Sequence, residues 1–172
     1  MVAGSVVERN PQMTKRTLRI LSSAIAAMGV LVGPAAALEV ASSATVAGTP
    51  DAVWQKIGDF CAIQVWHPSV SKCEQTDEAG ATYRTLTATD GGTIKEKLVE
   101  KTDTSYTYAI IESPLPVENY RATISVSADG DGTRVDWKGS FDAKGKSDAE
   151  AKTVISDIYK AGLKQIAKMS GN

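Results

Sequence analysis

Two charged residues stand where the strand pattern calls for apolar side chains. Arg84 shares the parity of Leu86 and Ala88, and Glu96 shares that of Ile94 and Leu98, in two segments joined by Asp90-Gly91-Gly92. An inward guanidinium and an inward carboxylate must pair or be hydrated, because an isolated buried charge costs several kcal/mol. If Thr89 pairs with Thr93 across the turn, Arg84 sits diagonally across from Glu96, within reach of long side chains. Such a pair has two readings. One is a polar anchor on the wall of an apolar cavity, able to orient a ligand's carboxylate or hydroxyl; the other is a satisfied ion pair near the rim with no ligand role. The only histidine, His67 in Trp66-His67-Pro68, could do general acid–base work with Glu96 as partner. No Gly-x-Ser-x-Gly elbow accompanies it, so no triad is recognisable, and a lone His builds no His-rich zinc site. A place at a cavity mouth without catalysis is expected for it, with plain packing at a helix–strand junction as the alternative. Neither a metal nor a cofactor is expected. Asp129-Gly130-Asp131-Gly132 lacks the other ligands of a calcium loop, and no helix N-terminus follows Asp90-Gly91-Gly92 to bind phosphate.

Aromatic residues supply the apolar counterpart. Tyr108, Tyr120 and Trp137 fall on the inward parity of their segments, and Tyr159 lies in the terminal helical pattern. Each offers an apolar body with a polar tip, although inner-face aromatics are more often plain core. Small residues are frequent on the same parity, and Gly162 interrupts the helix stripe, so incomplete filling is expected.

These residues must be positioned by a succession of short elements. Leu38 to Ala47 suits a first strand. Thr49-Pro50 gives an N-cap with proline at the first helical position, and Val53, Trp54, Ile57 and Phe60 recur at helical spacing to about Phe60. A second, irregular helical turn is expected before Pro68. From there the period is two, with strands expected near 71–78, 82–89, 93–101, 105–112, 119–128 and 133–142, separated by turns too short for crossovers. Ser147 to Glu150 forms a capping box. A long helix follows, with Ala151, Ile155, Ile158, Gly162, Ile166 and Met169 on one face and Lys152, Lys160, Lys164 and Lys168 on the other. The fold class expected is α+β: a curved antiparallel seven-stranded sheet around a long C-terminal helix, with two short helices after the first strand.

The first 37 residues read differently. Lys15, Arg16 and Arg19 accompany an apolar stretch from Leu18 to Val32, followed by Ala35-Ala36-Ala37. This is the pattern of a secretory signal peptide cleaved after Ala37, with an uncleaved anchor as the alternative; Met13 would be a more usual start. The remaining 172 − 37 = 135 residues suffice for one domain, 38–172. Removing Glu8, Arg9, Lys15, Arg16 and Arg19 leaves 15 basic and 19 acidic residues, a net charge of −4. With no clustered arginine, a nucleic-acid partner is not expected. Cys61 and Cys73 both remain, and in an oxidising compartment a disulfide is favoured over two buried free thiols. A periplasmic or secreted monomer without a stable membrane anchor is the expectation.

The order of segments resembles the START-like, or SRPBCC, superfamily with its helix-grip fold, and within it the polyketide cyclase/dehydrase and lipid-transport group. The resemblance rests on Pro50-Asp-Ala-Val-Trp-Gln-Lys-Ile-Gly-Asp-Phe60, Trp66-His-Pro68, Arg84-Thr-Leu86, Asp90-Gly-Gly, Glu96-Lys-Leu98, Pro114-Leu-Pro-Val-Glu-Asn-Tyr120, Val135-Asp-Trp137 and Ala161-Gly-Leu163. It covers nearly all of Leu38 to Lys168 and is specific for the fold through order and spacing. Members bind sterols, lipids, hormones or polyketides between sheet and helix, and only some catalyse cyclisation. The plant abscisic-acid receptors look like distant relatives, in which His67 matches a ligand-pairing lysine and Glu96 and Tyr120 match cavity positions. The loops Asp90 to Gly92 and Ser113 to Val117 match their gate and latch but lack those sequences, so a hormone-sensor mechanism does not carry over. The resemblance implies a binding protein for a small hydrophobic or amphipathic molecule. The ligand would be contacted by His67, Arg84, Glu96, Tyr108, Tyr120, Trp137, Ile158 and Gly162. The alternative is a cyclase, dehydratase or isomerase using Glu96 or His67 as general acid or base.

Overall fold

A computed structural model describes residues 1–4 and 36–171 of the chain; the expected leader falls almost entirely outside the described residues. From Leu38 onward the chain runs β1 (Leu38–Ala47), α1 (Pro50–Ile57), α2 (Ile63–Trp66), β2 (Val70–Glu78), β3 (Ala81–Ala88), β4 (Thr93–Lys101), β5 (Ser105–Glu112), β6 (Val117–Asp129), β7 (Gly132–Ala143) and α3 (Asp148–Ser170). The seven strands form one antiparallel sheet in the order β1-β7-β6-β5-β4-β3-β2. β1 and β2 therefore occupy opposite edges, and α1 and α2 carry the chain between them. Six successive strands with short turns leave this meander as the direct solution.

Local chemistry sets the helix ends. Thr49 caps α1 through its side chain, which accepts from the Ala52 N–H at 3.3 Å. α1 stops at Ile57, short of the expected Phe60, with Gly58 as its C-cap, whose N–H closes the last turn on the Trp54 carbonyl. The expected capping box is present at α3: the Ser147 side chain accepts from Glu150 N–H, and the Glu150 carboxylate accepts from the Ser147 backbone. Ala151, Ile155, Tyr159, Gly162, Leu163 and Ile166 are the buried face of α3, with Ile158 half-buried at its margin. On the sheet side Tyr120, Ala122, Ile124, Val126, Val135, Trp137 and Phe141 turn inward, the period-two face of a half-buried sheet.

One register differs from expectation, and a second is irregular. β3 and β4 pair Thr87 with Thr93, which places Arg84 directly opposite Glu96 rather than diagonal to it. The cause is the turn: the Ala88 N–H donates to the Gly92 carbonyl, and Thr89-Asp90-Gly91 forms a three-residue loop with Gly91 at φ +89°. In β6 the pairing with β7 slips by one residue between Glu118 and Arg121, with Asn119 at φ +52°. This bulge lets Val117 and Tyr120 both face inward although their spacing is odd.

Candidate functional site

Between the curved sheet and the helices lies a cavity of about 260 Å³. Its sheet wall includes Leu86, Glu96, Tyr108, Tyr120 and Trp137; α2 and α3 contribute Ile63, His67, Ile155 and Ile158; Ser69, Val70, Asp90 and Leu115 come from the loops and strand starts around it. The β3–β4 and β5–β6 loops approach each other here, since a Cβ on Gly92 would lie 3.5 Å from Pro114 Cγ.

The ion pair is at the core of the structure. Arg84 Nε donates to Glu96 Oε2 at 2.6 Å, and Arg84 Nη1 donates to the Phe60 carbonyl. The guanidinium lies 4.0 Å from the Phe60 ring centroid and 5.0 Å from that of Tyr108, a cation–π setting that replaces part of its lost hydration. Arg84 is fully buried and forms no part of the cavity wall; Glu96 does. Burial pushes the Glu96 carboxyl above the ordinary carboxylate range, and Arg84 pulls it back in part. For Arg84 burial opposes the charged form, but Glu96 and the flanking Tyr106 and Tyr108 more than offset this and raise its pKa. The 2.6 Å contact is that of a charge-assisted pair, with the guanidinium hidden and the carboxyl group presented to the cavity.

His67 is a clamp between elements. Its Nδ1 accepts from the Ser69 backbone N–H at 3.2 Å, which leaves Nε2 to donate to the Ile158 carbonyl at 3.0 Å. The tautomer is assigned by these partners. Burial holds its pKa below the usual imidazole value, against the opposing Ile158 bond and with help from the Arg84 charge. Both nitrogens are engaged by backbone, so neither is available to a reacting molecule.

A chain of polar tips crosses the aromatic cluster. Trp137 Nε1 donates to Tyr108 Oη at 3.1 Å, Tyr108 and Tyr120 hydroxyls are 3.3 Å apart, and those of Tyr120 and Tyr159 are 2.5 Å apart. Burial, the largest influence in each case, pushes all three phenols upward, so they remain protonated. Trp137 stacks on Tyr159 at 4.4 Å and 10°. Gly139 makes room for this arrangement, since a Cβ there would collide with the Tyr159 hydroxyl.

Of the residues singled out from sequence, His67, Glu96, Tyr108, Tyr120, Trp137 and Ile158 line the cavity, whereas Arg84 and Gly162 do not. The expectation that Gly162 thins the filling is corrected: a Cβ there would sit 2.8 Å from His67, 2.9 Å from Trp137 and 3.0 Å from Trp66. The missing side chain admits aromatic rings and leaves no hole. Tyr106, which shares the inward parity of Tyr108 and shields Arg84, was not singled out. Cys61 and Cys73 are disulfide-bonded and tie the α1–α2 connection to edge strand β2. Among the described residues no three His, Cys, Asp or Glu side chains gather to hold a metal ion, and no helix is long and apolar enough to cross a membrane.

A long terminal helix gripped by a seven-stranded antiparallel sheet, with two short helices after the first strand, is the helix-grip architecture of the START-like (SRPBCC) superfamily. Residues 37–170 match the family described as "Polyketide cyclase / dehydrase and lipid transport", and the chain belongs to that family. It is similar to the solved structure of the protein XoxI from Bacillus cereus, with 35% identity, a TM-score of 0.73, and coverage of 77% of this chain and 94% of that one. An uncharacterised protein from Bacillus thuringiensis is 34% identical with a TM-score of 0.72, over 77% of this chain and 98% of its own. The Zhui aromatase/cyclase from Streptomyces sp. R1128 shares the fold at 19% identity and a TM-score of 0.64, over 78% and 93% of the two chains. No curated protein matches.

Proposed function

We propose that this protein binds and carries a small hydrophobic or amphipathic molecule in the cavity beneath α3. The observation that carries this reading is an apolar cavity of about 260 Å³ whose wall includes a buried carboxylate and two buried phenols. An engineered cavity of roughly 150 Å³ holds benzene, so by proportion this one suits a ligand of roughly ten to twelve non-hydrogen atoms. The apolar body rests against Tyr108, Tyr120, Trp137 and Ile158, and its polar atom meets Glu96. Burying ~300 Å² of apolar ligand at about 25 cal/mol per Å² offers roughly 7 kcal/mol before the costs of association. The Cys61–Cys73 bond supports a working place in an oxidising compartment, periplasmic or secreted, with residues 1–37 as a cleaved leader and 38–172 as a monomeric binding domain.

Native mass spectrometry of the protein from its own host tests this reading, with an adduct in the mass range of such a ligand expected. Ile158→Trp, which fills the cavity from α3, should abolish the adduct while leaving the melting temperature within a few degrees. Absence of any adduct, together with no binding of aromatic probes in vitro, sinks the carrier reading.

Glu96 supports one alternative, an isomerase- or cyclase-type enzyme in which a carboxyl group of raised pKa moves a proton. His67 does not join it, having no free nitrogen. Glu96→Gln separates the two: turnover lost with binding retained favours the enzyme, binding lost without any turnover to lose favours the carrier.

A further inference from the structure

We infer that the cavity selects uncharged molecules bearing a hydroxyl, of the phenol or enol kind, and rejects carboxylates. The inference rests on the reading of the cavity as a binding site and adds the chemistry of its occupant. Three observations converge on it.

The charged groups on the cavity wall are Glu96 and Asp90, and no lysine or arginine joins them. The nearby cation, Arg84, is fully buried and absent from the cavity wall: Nε is on Glu96, Nη1 is on the Phe60 carbonyl, Nη2 is buried without a hydrogen-bond partner, and the guanidinium lies against the Phe60 and Tyr108 rings. A ligand carboxylate entering the cavity would lose its water and meet another carboxylate with no donor cation in reach. His67 gives it no help, because its one N–H is bonded to Ile158.

A cationic ligand gains little either. The Arg84–Glu96 pair is neutral as a unit, so an ammonium group would face Glu96 with a guanidinium directly behind it. What Glu96 presents is an acceptor. Its bond to Arg84 uses Oε2, and among the described residues no hydrogen bond engages Oε1.

The phenol chain supplies the matching donor. Three hydrogen bonds link Trp137, Tyr108, Tyr120 and Tyr159. They consume the indole N–H and two of the three phenol protons, whichever way the hydroxyls turn. One phenol proton is left over, and in the two arrangements in which Tyr159 donates to Tyr120 it sits on Tyr108 or Tyr120, which line the cavity. A cavity with one spare acceptor and one spare donor is complemented by a group that is both, which a hydroxyl is. A hydrocarbon would leave both unpaired, and a buried polar group without a partner is costly.

Isothermal titration of the full-length wild-type chain with 4-propylphenol, propylbenzene, 4-ethylbenzoate and 4-ethylbenzylammonium tests this, alongside amide shift mapping by NMR. The phenol should bind at least about fivefold tighter than each of the other three, with shifts at Leu86, Glu96 and Ile158. A preference below about fivefold over any of them, with the same residues shifting, overturns the selectivity and leaves the binding site standing. If no probe shifts those residues, the binding-site reading falls and the selectivity with it. The comparison is made on the wild-type chain, so no misfolded variant can obscure the result.

Discussion

At the scale of single residues, the Arg84–Glu96 pair decides most. Both side chains are buried, at 0% and 6% side-chain exposure, and the pair is therefore expensive to break from one side. Arg84→Met strands the Glu96 carboxylate and should cost about 3–5 kcal/mol in denaturant unfolding, whereas the double change Arg84→Met with Glu96→Leu should cost far less. A double variant as unstable as the single one would show that packing, not charge compensation, dominates. His67 sets a pH dependence of definite sign. Its folded pKa is lowered, so between that value and the unfolded value of about 6.5 the unfolded chain binds more protons, and stability rises with pH. The contribution is complete above about pH 6.5 and is lost as pH falls through the folded pKa, which an NMR titration of the imidazole checks. Sequence parity alone exposed the pair, because two charges on an apolar parity are a visible exception. What it could not show was which partner faces the cavity. That depends on the Phe60 carbonyl, 24 residues from Arg84, capturing the guanidinium. The engagement of both His67 nitrogens was equally hidden, since one partner is a backbone carbonyl 91 residues away.

At the scale of elements, helix caps, strand spans and the lysine-bearing face of α3 were legible, because each is a local pattern of residue types. Registers were less so. A two-residue difference in the β3–β4 pairing came from the three-residue loop at Asp90, and the β6 bulge depends on one non-glycine residue at positive φ. Asn119 was the available signal, as asparagine is enriched in that conformation. Gly162 shows how an element can mislead. A glycine in a helix interior suggests slack, and alanine there would ordinarily add about 1 kcal/mol of helix propensity. Here the added methyl would press on His67, Trp137 and Trp66. Gly162→Ala should therefore destabilise by about 1–2 kcal/mol, overpacking exceeding the propensity gain. A variant that melts higher than wild type would refute this packing.

At the scale of the whole molecule, the Cys61–Cys73 bond joins a cavity-bearing stretch, with Ile63 and His67 close by in sequence, to the edge strand of the sheet. Replacing both cysteines by serine should cost about 2–3 kcal/mol for a closed loop of this length. Because β2 is paired on one side only, the replacement should also speed amide exchange along that strand before the rest of the sheet. Uniform exchange across all seven strands would show that the bond does not hold this edge. The opposite edge carries a consequence for how the molecule is made. β1 pairs with β7, Leu38 meeting Phe141 across 141 − 38 = 103 residues of chain. During synthesis the first strand emerges long before its partner, and the cavity has no floor until α3 follows. Contacts this distant in sequence make assembly slow and late, so β1 waits unpaired while β2 to β6 are made. Until then the lone strand offers unpaired backbone groups to any neighbour, so the half-made chain is the form of this molecule most open to aggregation.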